Sequence, residues 1–334
     1  MAEMAGLTSP YRFCVAPMMD GTDRHCRYFH RILTKRARLY TEMIIADAVI
    51  HGDRKKLLDY SQSEHPVVLQ LGGAQPDKLR EAAAIGEDFG YDEINLNVGC
   101  PSDRVQSGTF GACLMQTPAL VAECVAAMVD AVRVPITVKC RIGVDDQDPA
   151  EALPALVDWV SGAGVQTIIV HARKAWLQGL SPKQNREVPP LDYGLVATLK
   201  ASRPDLTIVL NGGISSIDEC QDHLKVFDGV MLGRAAYGTP AVLRDVDQLL
   251  FHDTRPPTTF DAVIGEMDAY IRRMSEAEGV KPHHVARHMA GLFHGEKGAR
   301  AWRRELSAYG AQAPIDILMR ARRAMQTDVE KCSA

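Results

Sequence analysis

Eight short runs of apolar, mostly β-branched residues recur between residues 12 and 236, and stretches with helical spacing separate them. The runs read RFCVAPMM (12–19), LYTEMI (39–44), PVVLQLGG (66–73), EINLNVGC (93–100), PITVKCRIG (135–143), TIIVHAR (167–173), TIVLNGGI (207–214) and GVMLGRAA (229–236). They are near-continuously apolar and do not alternate. That is the pattern of parallel strands covered by helices on their outer face. Between them lie helix-like segments such as DKLREAAAIGEDFG (77–90) and TPALVAECVAAMVDAV (117–132).

Eight strand–helix units that close on themselves predict an α/β fold of the TIM (β/α)8 barrel type, usually about 250 residues long. A doubly wound open sheet is the competing architecture. It usually has fewer strands and a glycine-rich loop after the first. Here the first run ends in APMMDGTD and lacks G-x-G-x-x-G. The last barrel helix is predicted to end near residue 250. The Pro-rich HDTRPPTTF (252–260) reads as a linker. Beyond it only helical periodicity remains. The predicted organisation is therefore a barrel over 1–250 and a small helical domain over 260–334.

Composition narrows the function classes. Hydrophobic residues make up 46% and charged residues 24%, which predicts a sizeable core and no extended disorder. No apolar run approaches the roughly 18–20 residues that span a bilayer. The N-terminal MAEMAGLTSPYRF has neither a basic nor an apolar leader region, so the reading is a cytoplasmic protein. The eight cysteines form no C-x-x-C pair, which points to small buried thiols and not to a disulfide framework or zinc knuckle.

The net charge of −4 hides an asymmetry. From Arg255 onward 13 Lys+Arg face 10 Asp+Glu, whereas residues 1–254 hold 25 against 32. Between 281 and 304, Lys281, Arg287, Lys297, Arg300, Arg303 and Arg304 face a single acid, Glu296. An acidic body with a basic tail fits a polyanionic partner, and on charge alone an ordinary solvated helix face fits as well.

In a TIM barrel, chemistry collects at the C-terminal ends of the strands. Those ends carry residues a core would not choose. They are Ala16, Pro17 and Met18 on the first run, Gln70 on the third and Asn95, Asn97 and Cys100 on the fourth. Lys139 and Arg141 follow on the fifth, His171 and Arg173 on the sixth, Asn211, Gly212 and Gly213 on the seventh, and Gly233 and Arg234 on the eighth. Amides and charges at a barrel mouth are costly unless partnered, so the set points to an extended polar ligand. The glycine turns after the seventh and eighth runs, with Arg234, match the usual barrel phosphate site. Lys139 suits a flavin, because a cation near N1 and O2 stabilises the reduced ring. An ion pair with a carboxylate is the alternative for Lys139.

The motifs APMMDGTDRHCR, LQLGG, INLNVGCPSDRV, GTFGACLM, VKCRIGVDD, VHARKAWLQGLSPKQNREVPPLDY, LNGGI, LGRAAY and HHVARHMAGLFHGEKGARAWRRELS resemble the tRNA-dihydrouridine synthases, in particular their A-type subfamily. The resemblance runs from about residue 10 to the last helical segment. It implies an FMN-dependent barrel with a helical tRNA-binding domain. It also implies NADPH as electron donor and reduction of the C5=C6 bond of D-loop uridines at positions 20 and 20a. Pro17, Met18, Gln70, Lys139, His171, Asn211, Gly212, Gly213, Gly233 and Arg234 then line the FMN, and Ala16 adjoins them.

Cys100 matches the family's proton donor. An ordinary thiol, with a pKa of about 8.5, is mostly protonated at neutral pH and can act as a general acid. Asn95, Asn97 and Arg141 are candidates to hold the uracil edge. Lys183 and Arg186, in the long loop that follows Trp176, are candidates to contact tRNA, as are Arg300 and Arg303. His283, His284 and His288 lack a further Asp, Cys or Glu ligand, so no metal is expected and phosphate contact or helix packing is preferred. Two other classes remain open: an FMN barrel reductase of a free small molecule, such as a pyrimidine, and an RNA-binding protein without catalysis. No protein partner is implied.

Overall fold

A computed structural model describes residues 9–101 and 110–333. Eight parallel strands, β1 (Phe13–Val15), β2 (Arg38–Ile45), β3 (Val67–Gly72), β4 (Glu93–Val98), β5 (Ile136–Arg141), β6 (Thr167–His171), β7 (Thr207–Asn211) and β8 (Gly229–Leu232), close in sequence order into a barrel. Each strand falls inside or within one residue of its apolar run. β1 and β8 stop well short of the ends of their runs. Ala16–Met18 follow β1 without regular structure, and Arg234–Gly238 already forms a helix after β8.

The strands carry two cores. Alternate residues point outward against the helices, as Ile168 and Val170 do, and inward, as Ile169 does with Tyr40, Val68, Val209 and Met231. The floor of the interior is polar. Arg38 Nη1 lies 2.8 Å from Glu93 Oε2, and the hydroxyls of Tyr40 and Thr137 donate to Glu93 Oε1 at 3.1 and 2.5 Å. A charge pair this deep persists only with such additional donors.

Local signals set the helix starts. Proline occupies the first position of Pro76–Asp88, Pro118–Val129 and Pro149–Gly162, where its missing N–H costs nothing. The helices predicted over 77–90 and 117–132 match the first two. Two short helices after β2, Ala46–His51 and Arg54–Leu58, have no counterpart in the sequence reading. They are too short to show a periodicity.

After the helix Val246–Phe251 and an open segment, four helices follow: Phe260–Glu278, Pro282–Ala286, Ala299–Ser307 and Ile317–Ser333. Trp302 is fully buried among them and donates its Nε1–H to Met289 O at 2.9 Å. This helical unit leans on the first barrel helix, Arg24–Leu33. Tyr28 and Tyr270 stack at 4.0 Å, and His25 Nδ1 meets the Tyr270 hydroxyl at 2.8 Å. Among the described residues, no helix is long and apolar enough to cross a membrane.

Candidate active site

Strand register decides which residues meet at the mouth. Arg141 pairs with His171, and His171 with Asn211, so these three form one level around the rim. Asn97 pairs with Lys139 and Gln70 with Asn95. Above them opens a cavity of about 970 Å³. Ala16, Pro17, Met18, Gln70, Lys139, His171, Asn211, Gly212, Gly213, Gly233 and Arg234 all line it, together with Asn97, Cys100, Arg141 and Arg186.

The turn after β7 requires its glycines. Gly212 and Gly213 have φ of 110° and 78°, and a Cβ on Gly212 would overlap the His171 ring. A Cβ on Gly213 would stand 2.6 Å from Leu191 Cδ1. The Tyr193 hydroxyl donates to Gly212 O at 2.6 Å and fixes the turn. Bare backbone therefore faces the cavity, as a phosphate cradle needs. Arg234 is less available than the sequence suggests, because its Nη1 bonds Glu187 Oε1 at 2.6 Å. Both side chains of that pair are exposed, so the bond is weak and exchangeable.

Electrostatics at the mouth is cationic. No described carboxylate pairs with Lys139, so among the described residues the ion-pair alternative finds no partner. Burial, reinforced by Arg141, lowers the Lys139 pKa to about 8, which leaves it mostly charged at neutral pH. Burial, then Arg141 and Lys139, push His171 well below its ordinary value, so its imidazole is neutral.

Cys100 stands just beyond β4, half-buried on the cavity wall. Its backbone N–H donates to Asn97 Oδ1 at 2.9 Å, and its carbonyl accepts from Ala112 N at 2.9 Å. The turn is thus tied at both ends.

Some of the candidate residues lie outside the cavity or have their polar atoms bonded within the protein. Asn95 does not line the cavity. It is fully buried one layer below, and its amide is spent on Gln70 and Thr137. Arg141 reaches the cavity, but Nε donates to Gly99 O at 3.2 Å and Nη1 to Lys174 O and Asn185 O at 3.2 and 2.9 Å. It is first a clamp on the Cys100 turn and on the loop after β6. Lys183 is exposed away from the cavity, while Arg186 of the same loop reaches it. Asn185 braces that loop from inside, accepting from Trp176 N at 2.7 Å and donating to Trp176 O at 2.8 Å.

Arg300 and Arg303 lie on the exposed face of Ala299–Ser307 and are not among the residues that line the cavity. Arg287, one of the basic residues of the same segment, bonds Asp23 of the barrel at 2.8 Å. His288 is buried against the same carboxylate at 3.0 Å, so it packs, as one of its two readings had it. Among the described residues, no three His, Cys, Asp or Glu side chains gather as a metal site. His294 and Tyr237 also line the cavity and were not read from the sequence. His294 brings the helical unit to the mouth, which no local pattern marks.

The sequence profile of the family described as Dihydrouridine synthase (Dus) matches residues 14–328. The chain belongs to the dihydrouridine synthase family. It is similar to proteins named tRNA-dihydrouridine(20/20a) synthase. That of Xanthomonas axonopodis pv. citri is 55% identical, covering 91% of this chain and 90% of the relative. That of Salmonella typhimurium is 54% identical over 92% of each, and that of Escherichia coli O6:H1 is 53% identical over 95% and 96%. The chain is accordingly an enzyme of the dihydrouridine synthase class.

Proposed function

We propose that this synthase uses FMN and NADPH to reduce uridines 20 and 20a in the tRNA D-loop. The observation that carries the reading is the convergence of Cys100, Lys139 and the Gly212–Gly213 turn on one cavity. Its volume suits a flavin ring with a flipped-out base above it. When bound, FMN reduced by NADPH supplies a hydride to C6 of the uracil.

The chain's own residues do the rest. The turns at Gly212–Gly213 and Gly233 would hold the phosphate, with Arg234 as its cation. Ala16, Pro17 and Met18 form one wall, and Gln70, Lys139, His171 and Asn211 would contact the ring. Lys139 stabilises negative charge at the ring's polar edge. Cys100 holds a proton at Sγ for uracil C5, which becomes basic as C6 accepts the hydride. Asn97 and Arg141, both on the cavity wall, are the candidates to hold the uracil edge. Arg186 approaches from the loop after β6, with Lys183 further out on the same loop.

The deciding experiment maps dihydrouridine in unmodified tRNA treated with purified protein and NADPH. The modification is expected at 20 and 20a only. Turnover of free uridine with none in tRNA would overturn the reading. The purified protein is also expected to be yellow and to release FMN on denaturation, since one phosphate cradle serves a mononucleotide. Release of FAD, or no flavin after reconstitution, would count against it.

The helical unit supplies electrostatic affinity. Arg300, Arg303 and Arg304 are exposed, and among the described residues no carboxylate pairs with them. Replacing Arg300 and Arg303 with Ala is expected to weaken tRNA binding and reduce the slope of log K against log salt by up to about 2. NADPH oxidation with a non-RNA acceptor is expected to stay unchanged. An unaltered salt slope would show a solvated surface.

A further inference from the structure

A single file of hydrogen bonds climbs the barrel interior from the buried charge pair to the Cys100 turn. Thr137 Oγ1 donates to Glu93 Oε1 at 2.5 Å. Asn95 Nδ2 donates to Thr137 Oγ1 at 2.8 Å, and Gln70 Nε2 donates to Asn95 Oδ1 at 2.8 Å. Asn97 Nδ2 donates to Gln70 Oε1 at 2.9 Å. Asn97 Oδ1 then accepts the backbone N–H groups of Gly99 and Cys100 at 3.1 and 2.9 Å. All five side chains are at least nine-tenths buried.

Both ends fix the direction. At the floor, Arg38 occupies Glu93 Oε2, and two hydroxyls donate to Oε1, so that oxygen only accepts. At the top, the two backbone N–H groups only donate. Every amide between them is therefore set in one orientation, with no conflicting link.

We propose that Thr137 and Asn95 are positioning residues, which hand the polarity of Glu93 to Gln70 and Asn97 and thereby fix the Cys100 turn. An amide looks nearly alike in its two orientations, yet Gln70 and Asn97 must each present the correct end to whatever lies in the cavity. A reversed Gln70 would face Asn97 Nδ2 with its own NH2. A reversed Asn97 would set its NH2 against the N–H groups of Gly99 and Cys100. Reversal thus cannot run to completion without a buried donor meeting a donor, and such a group left unsatisfied is costly. The file also explains why Asn95, below the cavity, is an amide where an apolar residue would pack more cheaply.

The test uses the full chain with Thr137→Val, which keeps the shape and removes the hydroxyl. Thr137→Ser restores the hydroxyl. Tyr40→Phe is a control that removes the other hydroxyl on Glu93 Oε1 and leaves the file intact. The first readout needs no cofactor: alkylation of Cys100 by iodoacetamide in the apo-protein, followed on the Cys100 peptide by mass. Thr137→Val is expected to speed it about tenfold, the scale of one lost buried hydrogen bond, with Thr137→Ser and Tyr40→Phe near the wild-type rate.

The second readout rests on the flavin reading: the visible spectrum and reduction potential of bound FMN should shift in Thr137→Val alone. Wild-type protein that binds no FMN would remove that reading, and the alkylation rates would still decide the file. A third arm needs no variant. In the wild-type protein, the side-chain NH2 protons of Asn95, Gln70 and Asn97 should resist exchange into D2O together. Folded Thr137→Val with a wild-type alkylation rate would overturn the proposal. So would an equal effect of Tyr40→Phe, or rapid exchange at Gln70 in the native protein.

Discussion

Cys100→Ala is expected to slow oxidation of the reduced enzyme by tRNA about 10²–10⁴-fold, the usual contribution of a general acid. Reduction by NADPH, retention of FMN and affinity for tRNA are expected to survive. The reasoning is local. Cys100 stands on the cavity wall with its backbone tied to Asn97 Oδ1 and Ala112 N, so the turn holds without the thiol. What the variant loses is the proton for uracil C5. Cys100→Ser keeps the shape but is a far weaker acid, and should be nearly as slow. Single-turnover flavin reoxidation with unmodified tRNA reads this step alone. Normal rates for both variants would remove Cys100 from the chemistry and make it a small wall residue.

Lys139→Met is expected to cost about 10²–10³-fold in the flavin half-reactions, the scale seen when one preorganised electrostatic partner is removed. The side chain lies on the cavity wall between Asn97 and Arg141, and Met fills a similar length without the charge. Its titration adds a second signature. Burial and Arg141 place the pKa at about 8, so the ammonium is present below that pH and is lost as pH rises through it. Rates that depend on the cation should fall above pH 8 in the wild type, and that inflection should vanish in Lys139→Met. Wild-type rates in both half-reactions would leave Lys139 a merely structural cation.

Much of this was legible in the chain. All eight strands were marked by their apolar runs, because a parallel barrel buries both faces of every strand. The helical tail was marked by the change of period and by the prolines at 256 and 257. The strand-end residues stood out because amides, cations and glycines are costly in a core, and most of them line the cavity at the barrel mouth. Cys100 stood out by its place, at the end of an apolar run and before a proline.

Other features came only with the tertiary structure. Glu93, Asn95 and Asn97 share the inward face, which period-two alternation reveals, but alternation is silent on depth along the barrel axis. Strand tilt and register put Asn97 at the cavity, Asn95 a layer below it and Glu93 at the floor. Arg141 looked free in the sequence, yet carbonyls from two distant loops claim most of its guanidinium. The carboxylate that Arg287 bonds, Asp23, lies 264 residues away and outside the local charge balance of its segment. The sequence by itself determined which residues are polar where polarity is expensive. The closure of the barrel decided which of them meet, since a hydrogen bond or ion pair depends on distances of a few ångströms that no local pattern encodes.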